Sequence, residues 1–274
     1  MTRLASTFTR LRNSMEGAFV PFVMLGDPDG EGSLRVIEQL VDAGADMLEL
    51  GIPFSDPPGD GPIIQAAARR ALAAGTTTAG ALDLIRRVRE YCTLPISVLC
   101  YYNLVLQYDV DRFYREAAMA GVDAVLVADV PLEEASILVT HARRHGVHPV
   151  FMVSEVTPDS RLARIAAMGD GYVYVVARVG VTGEQKALSV GLRDLLHRIR
   201  AHTTLPLLSG FGISTPAHVR QAIAAGADGV ICGSAIVRRL TGDVQLFDHV
   251  LTDVRLFAIQ MKEATWGRAV ASHY

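Results

Sequence analysis

Lysine is nearly missing from this chain of 274 residues: of 26 basic side chains, only Lys186 and Lys262 are lysines. Neither falls in an apolar run that reads as a strand. Schiff-base chemistry from a strand therefore has almost no candidate nucleophile. Cysteine is scarce as well. Cys92, Cys100 and Cys232 are odd in number, widely spaced and set among apolar residues. They read as buried reduced thiols of a cytoplasmic protein, without zinc or redox spacing. No excess of charge exists: 26 Lys plus Arg stand against 29 Asp plus Glu, for a net charge of −3. A nearly neutral chain is a poor nucleic-acid binder. No apolar run approaches the roughly 18 residues needed to span a bilayer, so no membrane partner is expected. The first residues hold no apolar stretch of signal-peptide type.

What is present is apolar and periodic. Half of the residues are hydrophobic, which excludes intrinsic disorder. Short runs rich in Val, Leu and Ile predict strands at Ala18–Met24, Met47–Ile52, Pro95–Cys100, Ala124–Val127, His148–Val153, Tyr172–Val176, Leu205–Ser209 and Gly229–Cys232. Amphipathic stretches lie between them, such as Gly32–Ala43, Leu82–Tyr91, Leu132–His145 and Pro216–Ala225. Eight strands with helical crossovers predict an α/β fold, a single (β/α)8 TIM barrel over 1–274. An internal repeat supports it. Ala43-Gly44-Ala45-Asp46, Ala120-Gly121-Val122-Asp123 and Ala225-Gly226-Ala227-Asp228 each follow a helix and precede a strand, with the glycine closing the helix. Residues 1–14, which contain Arg3, Arg10 and Arg12, hydroxylated residues and no acid, carry Leu4, Phe8 and Leu11 at helical spacing. An N-terminal helix capping the barrel bottom is expected there, although the composition also resembles a transit peptide. Residues 266–274 are expected to be a disordered tail.

In such a barrel the active site forms at the C-terminal ends of the strands. Alternation in Met47-Leu48-Glu49-Leu50-Gly51-Ile52 turns the aliphatic side chains toward the helices and Glu49 into the barrel. Burial there raises the carboxyl pKa and suits it to proton transfer near neutrality. Arg178, just past the sixth strand, is a possible ion-pair partner. Asp56 and Asp60 lie in the Pro- and Gly-rich loop that follows; each could cap backbone amides or take part in catalysis. Gly210-Phe211-Gly212-Ile213-Ser214 and Gly233-Ser234-Ala235 follow the seventh and eighth strands, where this barrel binds phosphate. His141, His145 and His148 are close in sequence but fall on a helix and at the wrong end of a strand, so no catalytic zinc is expected. Magnesium among Glu49, Asp60 and Asp129 is a minor alternative.

Several stretches carry a resemblance. Leu48-Glu49-Leu50-Gly51-Ile52-Pro53-Phe54-Ser55-Asp56-Pro57 followed by Asp60-Gly61-Pro62-Ile63-Ile64-Gln65 resembles the signature of the tryptophan synthase α-chain family. So do Phe19-Val20-Pro21-Phe22, Val127-Ala128-Asp129-Val130-Pro131, Arg178-Val179-Gly180-Val181-Thr182-Gly183 and Gly210-Phe211-Gly212-Ile213-Ser214, in order, over about residues 2–265. The resemblance implies retro-aldol cleavage of indole-3-glycerol phosphate to indole and glyceraldehyde 3-phosphate. It implies Glu49 as the proton carrier and Asp60 as acceptor of the indole N–H, stabilising charge as it develops. Phe22, Leu99, Tyr101, Ala128 and Tyr174 would line the substrate pocket, with Thr182 on a mobile loop. Gly183, Phe211, Gly212, Gly233 and Ser234 would hold the phosphate. No cofactor is implied in this chain; pyridoxal phosphate would belong to a partner β chain in an α2β2 complex, which Pro53 to Asp56 would face. Pro58-Gly59 departs from the family, where a larger apolar residue and then a small one are usual, and Ser154-Glu155 replaces a more apolar stretch. A free-standing lyase that releases indole, a non-catalytic activator of a β chain, and another phosphate-binding barrel enzyme are the competing readings.

Overall fold

The computed structural model describes residues 1–176, 191–241 and 247–267. Eight parallel strands close in sequence order into a barrel: β1 (Ala18–Met24), β2 (Leu48–Gly51), β3 (Ile96–Cys100), β4 (Ala124–Val127), β5 (His148–Ser154), β6 (Val173–Val176), β7 (Leu207–Gly210) and β8 (Gly229–Cys232). The helices among the described residues are α1 (Arg3–Asn13), α2 (Gly30–Asp42), α3 (Pro62–Ala73), α4 (Thr78–Arg89), α5 (Tyr102–Tyr108), α6 (Val110–Ala120), α7 (Ser136–Arg144), α8 (Asp159–Met168), α9 (Leu192–Arg200), α10 (Pro216–Ala225), α11 (Ser234–Arg239) and α12 (Phe247–Glu263). None is long and apolar enough to cross a membrane. The expected barrel is therefore present, with strand ends shifted by one or two residues. Pro206, for instance, delays β7 because it has no N–H for the ladder.

Alternation divides the apolar residues into two populations. Leu48, Leu50, Val98 and Val230 face outward and pack under the helices. Ala18, Val20, Met47, Leu126, Leu208 and Ile231 face inward. Leu4, Phe8 and Leu11 of α1 join the inward group, so α1 plugs one end of the barrel. Cys92, Cys100 and Cys232 are free thiols and buried.

The three repeats do more than turn the chain. Gly44, Gly121 and Gly226 sit at φ +92°, +88° and +107°, a region that favours glycine. The aspartate two residues later then ties a strand base to its neighbour. Asp46 Oδ2 accepts from Phe19 N at 3.0 Å, Asp123 Oδ2 from Ile96 N at 2.9 Å, and Asp228 Oδ2 from Leu207 N at 2.7 Å. Each carboxylate also meets cations: Arg10 and Lys262 at Asp46, Arg3 and Arg89 at Asp123, and Arg200 at Asp228. Only Lys262 and Arg89 are themselves largely buried, each 13% exposed, and breaking a pair of that kind costs roughly 3–5 kcal/mol because the other charge is stranded. Lys262 is thereby engaged at the plugged end, away from any chemistry at the other; Lys186 lies outside the described residues.

Candidate active site

The open mouth of the barrel holds a cavity of about 620 Å³. Glu49 forms part of its floor. It is 1% exposed and pairs in register with Phe22 on β1 and Ser97 on β3. Burial pushes its carboxyl pKa up to about 8, opposed by one hydrogen bond that Tyr172 Oη donates to Glu49 Oε1 at 3.3 Å. Among the described residues no cation offsets the burial. Arg178 lies outside the described residues.

Two glycines make room for the aromatic walls. A Cβ on Gly51 would sit 2.6 Å from Phe22 Cζ, and one on Gly210 would sit 2.2 Å from Tyr174 Oη. Each is closer than atoms can approach, so each missing side chain is the space in which a ring lies. Phe22 and Tyr174 thus reach the cavity beside Glu49, with Leu99.

Asp60 enters from the β2–α3 loop and lines the same cavity. Burial raises its pKa, and the neighbouring Tyr101 hydroxyl opposes the rise. The backbone of this loop is held from behind: Gln65 Nε2 donates to Asp60 O at 2.8 Å. Arg70 of α3 makes two 2.7 Å bonds to the fully buried Asp27 after β1. Tyr101 stacks on Phe54 with ring centroids 5.4 Å apart, and its buried hydroxyl stands near Asp60, close enough to act on its charge but beyond the distance of a formed hydrogen bond. Tyr101 and Ala128 are not among the residues that line the cavity. Asp56 is exposed and bonded to Ser55, clear of the cavity.

The opposite side of the cavity is backbone-rich. Phe211 and Gly212 both adopt left-handed conformations, φ +66° and +77°, in the loop after β7. Gly233 occupies the N-cap of α11 without a side-chain cap, so first-turn N–H groups are left for another acceptor. Phe211, Gly212, Gly233 and Ser234 all line the cavity. An anion is well matched to such N–H groups. Thr182 and Gly183, and the loop carrying them, lie outside the described residues.

Three basic side chains at the cavity were not singled out from the sequence. His218 of α10 is buried and takes Ser214 N at 3.4 Å, bracing the loop after β7. Arg239 is committed: it bonds Ala235 O at 2.7 Å and covers the Phe257 ring. Arg238 is exposed, and its guanidinium is tied to no other described residue. A cation beside two glycine loops was the available signal. The magnesium alternative fails: among the described residues, Glu49, Asp60 and Asp129 do not bring ligand atoms together. Asp129 instead accepts from Tyr102 N at 2.7 Å.

Comparison with known proteins decides the family. The family model "Tryptophan synthase alpha chain" matches residues 8–266. The chain belongs to the tryptophan synthase alpha chain family. The tryptophan synthase alpha chain of Pectobacterium atrosepticum is 47% identical over 97% of this chain and 99% of its own length. That of Escherichia coli is 46% identical over the same shares. Among solved structures, the tryptophan synthase alpha chain of Legionella pneumophila matches with a TM-score of 0.86 at 31% identity, covering 100% of both chains. A tryptophan synthase structure from Mycobacterium tuberculosis matches with a TM-score of 0.87 at 30% identity, covering 98% of this chain and 99% of that one.

Proposed function

We propose that this chain carries out the α reaction of tryptophan biosynthesis, the retro-aldol cleavage of indole-3-glycerol phosphate to indole and glyceraldehyde 3-phosphate. The observation that carries the reading is Glu49: a carboxyl held neutral by burial, on the floor of a cavity that Asp60 and two glycine-rich loops share.

The chemistry follows from that protonation state. With a pKa of about 8, Glu49 is mostly protonated at neutral pH. It gives its proton to the indole carbon that leaves. As the carbon–carbon bond breaks, the glycerol hydroxyl becomes an aldehyde, and its proton returns to the Glu49 carboxylate. The residue ends as it began. Positive charge develops on the indole ring between these events. Asp60 accepts the indole N–H and stabilises that charge, worth most where water is excluded. Phe22, Leu99 and Tyr174 enclose the ring. Gly212, Phe211, Gly233 and Ser234 hold the phosphate; Gly183 and Thr182, which the family pattern assigns to the phosphate and the substrate, lie outside the described residues. The reaction uses no cofactor of this chain. A β chain carrying pyridoxal phosphate would receive the indole in the cytoplasm, in an α2β2 complex that meets Pro53 to Asp56.

The test is steady-state cleavage of indole-3-glycerol phosphate by the purified chain, with and without a β chain. Cleavage that speeds up at least roughly tenfold on adding the β chain, about 1.4 kcal/mol of barrier, is the expected result. A fast chain indifferent to the β chain would establish the free-standing lyase instead, and no cleavage in either arm would remove the reaction.

A further inference from the structure

His141 and His145, without a role in the cleavage, meet an acid on the outer wall of the barrel. They lie four residues apart at the C-terminal end of α7, so both imidazoles leave one face of the helix. Asp111, in the first turn of α6, stands opposite. Its Oδ1 lies 2.9 Å from His141 Nδ1 and 2.9 Å from His145 Nε2. One ligand atom from each residue falls within 4.8 Å of the others. The histidine side chains are 22% and 18% exposed and the aspartate 34%, so packing holds them while solvent reaches them. His148, the third of the run, turns away to Asp170.

We propose that Asp111, His141 and His145 form a binding site for a divalent transition metal of the zinc class, linking α6 to α7. Two imidazoles and one carboxylate suit zinc, copper or nickel better than magnesium or calcium, which prefer all-oxygen sites. Zinc bonds of roughly 2.0–2.2 Å in a tetrahedron set ligand atoms about 3.4 Å apart. The two N–O separations therefore open by about half an ångström, a side-chain adjustment. A water takes the fourth position from solvent. Two cations face the site. Arg115 reaches Asp111 Oδ2 and Arg144 reaches Oδ1, each at 3.4 Å. Their side chains are 50% and 67% exposed, so Arg144 turns into water as the metal takes Oδ1 and Arg115 keeps the outer oxygen. None of the three ligands lines the substrate cavity, so the metal braces the wall rather than the chemistry.

The full chain, stripped with a chelator and dialysed, is titrated with zinc chloride alone by calorimetry near neutral pH. One saturable equivalent is expected at micromolar Kd or below, with a rise in Tm on adding zinc. His145→Gln, His141→Gln and Asp111→Asn each weaken it at least tenfold, whereas His148→Gln leaves it unchanged. Circular dichroism verifies the fold of each variant, and any variant that folds carries the comparison. Absence of a saturable equivalent overturns the proposal. So does equal affinity in wild type and the three ligand variants, or a cleavage rate that needs zinc, which would put the ion in the cavity.

Discussion

The Tyr172 hydroxyl stands between Glu49 and Ser97, 3.3 Å from Glu49 Oε1 and 2.9 Å from Ser97 Oγ. Burial drives the Glu49 carboxyl toward its neutral form, and among the described residues this donor alone pulls it back. Tyr172→Phe removes the donor. Glu49 then titrates above its present value of about 8, and the alkaline limb of the kcat/KM profile moves to higher pH. A limb that stays in place would show that the profile reports another group.

Glu49→Gln keeps the shape of the side chain but cannot carry a proton. Cleavage is expected to fall about 10²–10⁴-fold or more. A variant with over a tenth of the wild-type rate would take Glu49 out of the reaction. The same substitution reads on stability. Unfolded, Glu49 ionises near its ordinary 4.5; folded, only near 8. Its folded-state pKa being raised, its favourable contribution is complete below 4.5 and is lost as pH rises through about 8. The Tm of Glu49→Gln relative to wild type should therefore climb across that window and level off above it.

Asp60→Asn retains an acceptor and loses the charge. If the carboxylate stabilises a cationic indole, kcat falls far more than the affinity for a substrate analogue. Equal losses in both would reduce Asp60 to a positioning residue.

Gly233→Val tests the phosphate cradle. The φ at this residue is −106° and an added Cβ would meet Phe22 at an ordinary 3.6 Å, so nothing crowds a side chain, although ψ of −84° lies outside the usual basins and circular dichroism must verify the fold. Affinity for glycerol phosphate should drop, because the side chain holds the anion off the amides. Gly212→Val should act likewise but at a cost to folding, its φ being +77°. Undiminished affinity in folded Gly233→Val would place the phosphate elsewhere.

Arg238→Gln should raise KM several-fold at low salt with kcat unchanged, and the difference should shrink as salt screens the charge. A salt-independent effect would mean that Arg238 acts through packing.

The barrel was legible because β/α alternation has a period and punctuation that sequence displays. The inward direction of Glu49 followed from two-residue alternation within β2, and the glycines that line the cavity from their place after β7 and β8. What escaped depends on angles between elements. Nothing in the spacing tells that Tyr172 crosses the barrel to Glu49, that Arg238 leans over the cavity, or that α6 brings Asp111 to His141 and His145. The magnesium alternative failed for the same reason: Asp129 is spent on the Tyr102 amide, a contact that only the fold reveals.

The aspartates at the strand bases have a further consequence. Asp46, Asp123 and Asp228 sew β1 to β2, β3 to β4 and β7 to β8 through a backbone amide and a cation each. At the fourth place, before β6, Asp170 makes a different tie: among the described residues its carboxylate meets the His148 side chain at the base of β5 and Gly171 N instead of a strand amide, and it is 49% exposed. That tie is the most exposed to solvent of the four. In hydrogen exchange the basal amides of β5 and β6 should open before those at the three strand bases tied by a buried aspartate, so the barrel's bottom rim frays from one side.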